Sequence, residues 1–172
     1  MSTAEDQRFA PPQAHVEDVA PDAPALAGRG TRFMAALLDG IIAAAAGWGF
    51  GMLPMFQELS QAQLKAAEQG IWTWNPSALL IGVPLFLLIQ AWPLVTRGQT
   101  IGKLLFKLRI VRTDGSKVDP LRMLGLRYGV GALTGVVSGV SMIYGIIDGL
   151  LIFRESRQCL HDTIADTKVI KL

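Results

Sequence analysis

With a single cysteine, Cys159, this 172-residue chain cannot form an intramolecular disulfide, and its redox compartment is left open. It has two histidines, His15 and His161. The pair His161–Asp162 invites a metal phosphohydrolase reading, but such a centre needs further His and Asp ligands, and His15 lies in a segment with no expected structure. Neither a metal nor another cofactor is expected. No Ser/His/Asp or Cys/His constellation is present, so the chain is read as not an enzyme. The run from Gly98 to Lys103 (GQTIGK) is one residue short of a phosphate-binding loop and has Leu104 where a metal-binding hydroxyl is required, which argues against nucleotide binding. Its expected role is a tight turn. Residues 1–27 lack an apolar core of the kind a cleavable signal carries, so no leader is expected there. The acidic, Pro- and Ala-rich residues 1–28 bury too little to offset chain entropy and are expected to be disordered.

Charge is also missing from long stretches, and its placement is more informative than the net +2. Of the 16 Lys and Arg, eight fall between Arg97 and Arg127 and four lie beyond Phe153, while Lys65 alone occupies the segment between the first two apolar runs. A soluble domain would spread its basic residues over every face. Confinement to alternate connections is the pattern of a multi-pass membrane protein with both termini cytoplasmic and residues 55–76 outside. The segment from Arg97 to Arg127 is expected to face anionic lipid headgroups. Without interleaved aromatics it is not a nucleic-acid surface.

Apolar runs at 32–53 and 77–95 are long enough to cross a bilayer, with Trp48, Trp72, Trp74 and Trp92 placed as interfacial belts. Pro84 and Pro93 are expected to kink the second run, and residues 57–69 read as a short polar helix. Residues 128–147 carry no charge. One span there would strand the basic tail on the wrong side, so two short helices, 121–137 and 139–153, turning near Ser138-Gly139, are expected. Lys107 to Arg112 has strand character, Asp114-Gly115 is a turn signal, and Lys117-Val118 reads as the start of a returning strand, with residues 167–172 able to join. The fold class is therefore an all-α membrane bundle of about four transmembrane or hairpin helices with a small cytoplasmic β-hairpin.

Candidate site residues are ionisable groups within apolar helices. Arg32 and Asp39 lie close to two turns apart on one face of the first helix, about 10 Å along its axis. An aspartate at that depth costs roughly 2.5–3.5 kcal/mol on insertion scales and needs a partner. Two readings stand: an ion- or proton-binding carboxylate, or a buried clasp with Arg32 reaching the interface. Arg32 and Asp39 are expected to share a network that Asp148 or Asp162 joins from another helix. Asp148 is read either as a site residue or as a carboxylate paired with Arg154 or a loop basic residue, and Asp162 is expected to cap a short turn.

RFMAALLDG (32–40), GQTIGKLLFKLRIVRTDG (98–115), Arg122 and RQCLHDTIADTKVI (157–170) together resemble the RDD family of bacterial membrane proteins, over residues 29–172. The resemblance implies that Arg32 is the family arginine, Asp39 the first aspartate, and Asp148 or Asp162 the second. Asp166 departs from the glycine usual at its position. The resemblance further implies a multi-pass protein of the plasma membrane, with cation/proton antiport proposed for some members. Transport-related function, in a homo-oligomer or larger membrane complex, is one expectation. A non-transporting accessory or scaffold subunit is the other.

Overall fold

The computed structural model describes residues 24–172. The disorder expected of residues 1–23 lies outside the described residues. Residues 25–27, which composition placed in the tail, instead lie along the C-terminal strand: the Ala27 amide donates to the Val169 carbonyl (2.9 Å) and the Lys171 amide to the Ala25 carbonyl (2.9 Å). Ala27 is fully buried there, its methyl small enough to fit against the sheet.

The chain is mostly helical. Helix α1 (Arg29–Gly51) leads through a 3-10 turn at Pro54–Phe56 into the polar α2 (Gln57–Glu68), then α3 (Ser77–Arg97) and the short α4 (Ile101–Leu105). Strand β1 (Leu108–Arg112) follows. A π-helical stretch, Arg122–Gly129, runs directly into α5 (Val130–Thr134), and α6 (Ser138–Leu151), α7 (Leu160–Ile164) and β2 (Thr167–Lys171) complete the order. Helix α3 continues through Pro84 and Pro93 and stops at Gly98, whose φ of +68° places it in the left-handed region. A Cβ there would stand 2.8 Å from the Ile110 carbonyl oxygen, so glycine is needed for both conformation and space.

The sheet corrects the sequence expectation. The turn at Asp114-Gly115 forms, with the Ser116 amide donating to Asp114 Oδ1 (2.8 Å), but Lys117-Val118 is not a returning strand. Asp119 and Pro120 end any extension: Asp119 Oδ2 accepts from the amides of Leu121 (3.0 Å) and Arg122 (3.2 Å) and so starts the next helix. The partner of β1 is β2, antiparallel, with Leu108 opposite Lys171 and Arg112 opposite Thr167. The two-stranded sheet is therefore closed by the tail and is not a hairpin.

Residues 122–134 and 138–151 fold back on one another through Gly135–Val137. Gly131 faces Tyr144, whose ring would lie 3.6 Å from a Cβ at that glycine. The apex is held from outside: the Asn75 amide donates to the Val136 carbonyl (2.7 Å) and the Gly139 amide to the Ile71 carbonyl (2.6 Å). The hairpin thus reaches the level of the loop that precedes α3.

The buried core lies at the sheet end, where Ala27, Ala35, Leu94, Leu108, Ile110, Val118, Met123 and Val169 meet. The long helices keep most of their apolar surface outward. By length and composition α1 and α3 can each cross a membrane, and only 6% and 17% of their most apolar windows are buried within the protein. Exposed apolar surface on that scale is what lipid covers.

Candidate functional site

Asp162 lies at the centre of the most deeply buried polar cluster. Positioned in the first turn of α7, its Oδ2 accepts from the Cys159 amide (3.2 Å); Cys159, not Asp162, stands at the cap, and Asp162 closes the turn from three residues in. The same oxygen receives Arg32 Nη2 from α1 at 2.5 Å, and Oδ1 receives Arg127 Nη1 from the π-helical stretch. Arg32 also donates to the Arg157 carbonyl, and Arg127 to Thr167 Oγ1 at the start of β2. Asp162 is 0% exposed and Arg127 2%. One carboxylate thus joins α1, the π-helical stretch, α7 and β2. Burial alone pushes the Asp162 carboxyl up, but the Arg127 guanidinium, His161 and Arg32 outweigh it and hold the carboxyl well below the usual range.

Asp39 does not share this cluster. Its partners are neutral: Oδ1 accepts from Gln90 Nε2 (3.0 Å) and the Gly102 amide (2.8 Å), and Oδ2 from Thr100 Oγ1 (2.5 Å). The expected Arg32–Asp39 network is therefore two networks. Helical spacing allowed both side chains one face, but each found a nearer partner supplied by a different part of the chain. Thr100 accepts from the Lys103 amide (3.2 Å) while donating to Asp39, so it caps α4 and docks it on α1. Gln90 Oε1 accepts from the Ile101 amide (2.9 Å) and ties in α3. Docking requires Gly102, since a Cβ there would fall 2.2 Å from the Ala35 carbonyl oxygen. Among the described residues, no cation lies within ion-pair distance of Asp39.

Asp148, near the end of α6, holds His161: its oxygens lie 2.7 and 2.8 Å from Nδ1, and Oδ1 also accepts the His161 amide (2.9 Å). Burial and the nearby Arg127 lower the His161 pKa against the opposing pull of Asp148. Donor atoms of Asp148, Cys159 and His161 lie within 4.8 Å of one another, a set that sequence reading did not assemble. It is poorly prepared for a metal. Burial pushes the Cys159 thiol up to about 11, Arg32 Nη2 stands 3.4 Å from its sulfur, and Nδ1 of His161 is already engaged.

Asp39 and the Arg127–His161 region meet across a chamber of about 720 Å³ between α1, α3 and the hairpin. Its walls are mainly apolar, with Asp39, Gln90, Thr100, Lys103, Arg127 and Tyr144 as polar contributors. Asp39 was named from the sequence; of the residues that sequence reading missed, Gln90 carried the clearest signal, as a hydrogen-bonding side chain in the middle of an apolar span. Arg127 was counted with the headgroup-facing segment, and its burial removes it from that surface; its place at the head of a charge-free stretch was the available signal. Arg97, Lys107, Arg109 and Lys117 are exposed. Asp166 adopts φ +53°, the left-handed conformation a glycine would take without cost, and its carboxylate is anchored by Thr113 Oγ1 (2.5 Å) and Arg112 Nη2 (3.1 Å). The departure from glycine is thus accommodated locally.

Uncharacterized protein YckC of Bacillus subtilis (strain 168) is 34% identical to the chain over 92 residues, covering 54% of this chain and 60% of that protein. The chain thus spans less than two thirds of that relative's length. No solved structure matches. The RDD family model matches residues 26–166, a range that holds Arg32, Asp39, Asp148 and Asp162, and this agrees with a membrane protein whose apolar helices face outward. The chain belongs to the RDD family.

Proposed function

We propose that this protein is a transport-related component of the bacterial plasma membrane, moving cations or protons along the chamber with Asp39 as the carboxylate on its wall. The observation that carries the reading is Asp39 itself: a half-buried acid lining an interhelical chamber, held by neutral donors and, among the described residues, without a paired cation. A carboxylate so placed attracts a positive charge into an apolar surround. Four crossings are proposed, α1, α3 and the two arms of the hairpin. The 21 residues of α3 rise about 31 Å, close to the roughly 30 Å hydrocarbon core. The hairpin arms are shorter, but their apex is tied to residues 71–75 and so shares the height of α3. Residues 25–27, β1 and β2 lie together, which supports both termini being on one side, the basic and hence cytoplasmic one. Exposed basic residues of the 97–127 segment then meet anionic headgroups. A protomer of this size would work as a homo-oligomer or within a larger membrane complex.

Purified protein in sealed proteoliposomes is expected to move Na⁺, K⁺ or H⁺, and Asp39→Asn to abolish that flux while remaining inserted and folded. The accessory-subunit reading draws on a different observation, that Asp39 already receives three hydrogen bonds and Asp162 is sealed. Under it the wild-type protein moves no ion and co-purifies with one larger membrane complex. Topology has its own test in a Cys159→Ser background. A cysteine at Lys171 is expected to label only from the cytoplasmic side, and one at Gln61 only from outside. Periplasmic labelling at Lys171 would remove the four-crossing arrangement.

A further inference from the structure

Among the described residues, five buried side-chain nitrogen and oxygen atoms lack a hydrogen-bond partner: Arg127 Nε and Nη2, the Tyr128 and Tyr144 hydroxyls, and Arg112 Nε. Four of the five therefore belong to three residues on one wall of the chamber. Buried donors are rarely left unmade, because each forfeits its hydration, and a guanidinium forfeits most. Arg127 spends one nitrogen, Nη1, on Asp162 and Thr167. Among the described residues the rest of its fork has only the neutral Tyr128 beside it, the guanidinium carbon 5.8 Å from that ring's centroid, and Asp162 already shares its charge between two guanidinia.

We infer that the chamber binds an anionic phospholipid of the inner leaflet, its phosphate oxygens accepting from Arg127, Tyr128 and Tyr144 and an acyl chain filling the apolar part. The chamber runs from Ala78 and Gly135, near the hairpin apex, to Lys103 and His161, near the sheet end. Its unmet donors and the Lys103 ammonium are toward the latter, its apolar wall toward the former, which is the head-to-tail order of a lipid entering from the cytoplasmic side. About 720 Å³ is within the roughly 300–1,000 Å³ range of ligand sites. A phosphate offers oxygens for a guanidinium fork and two hydroxyls at once, which no side chain on this wall does. The lipid uses the hairpin wall of the same chamber, across from Asp39, and its assignment to the inner leaflet rests on the orientation proposed above.

The test uses the full chain, delipidated in dodecyl maltoside and titrated with dioleoyl phosphatidylglycerol, dioleoyl phosphatidylcholine, oleate or inorganic phosphate, with bound ligand counted by native mass spectrometry. Saturable binding of one phosphatidylglycerol per chain, at least tenfold tighter than phosphatidylcholine, is expected. Tyr144→Phe should weaken it about tenfold, the loss of one hydrogen bond to a charged group. Ala132→Phe, which fills the apolar part, should abolish it without lowering the melting temperature of the lipid-free protein. Equal binding of the two phospholipids, unchanged affinity in Tyr144→Phe, or no saturable binding would overturn the inference. Saturable binding of oleate or inorganic phosphate with none of phosphatidylglycerol would overturn the lipid as the source.

Discussion

Asp162→Ala is expected to destabilise the protein by about 3–5 kcal/mol, the cost of stranding a buried charge, and here two guanidinia are stranded together. Domains carry a total of about 5–15 kcal/mol, so the variant should accumulate poorly and melt far below wild type in the same detergent. Asp162→Asn keeps an acceptor but not the charge and should fall between the two. Lys65→Ala, on the polar α2 away from every network described, should leave the melting temperature unchanged. Equal melting temperatures for Asp162→Ala and Lys65→Ala would sink the assignment of Asp162 as the central tie. The pH dependence has a defined sign. Because the folded carboxyl is held below its ordinary range, its contribution is fully present above about pH 4, the unfolded value, and is lost only as pH falls further toward the folded one. Between pH 5 and 8 this group should add no slope.

Gly102→Ala should cost about 3 kcal/mol, because the added methyl cannot share space with the backbone of α1. The Ala35 carbonyl oxygen would stand 2.2 Å from it and the Asp39 carboxyl carbon 3.0 Å, and neither can retreat without moving α4. Overpacking of this kind typically costs about 1–3 kcal/mol, and separation would also break the hydrogen bond from the Gly102 amide to Asp39. Gly82→Ala, with open space where its Cβ would go, provides the matched comparison and should cause no loss. If both alanines melt alike, α4 is not docked as described.

The sheet shows where local reading stops. Alternating apolar and basic residues at 107–112 and 167–172 were enough to identify two strands, because period-two alternation is a property of each segment alone. Which strand pairs with which is not. Lys117-Val118 was nearer in sequence and followed a good turn, but Asp119 and Pro120 commit the chain to a helix at that point. The tail then closes the sheet across more than fifty residues.

Composition and charge placement alone determined that the chain carries membrane-length apolar helices, basic residues clustered between 97 and 127 and in the tail, and ionisable groups that need partners, since each follows from hydropathy and charge counted along the chain. The residues of the family pattern were legible too, as short ordered motifs. The identity of each partner was not. Arg32 and Asp39 share a helix and a face, yet Arg32 pairs with Asp162 and Asp39 with Gln90, Thr100 and Gly102. Arg127 looked like one more surface cation until the hairpin and β2 closed around it. Only the tertiary structure decided these pairings, because a buried charge is satisfied by whatever the packed helices bring within about 3 Å, and that distance is not encoded by spacing along one helix.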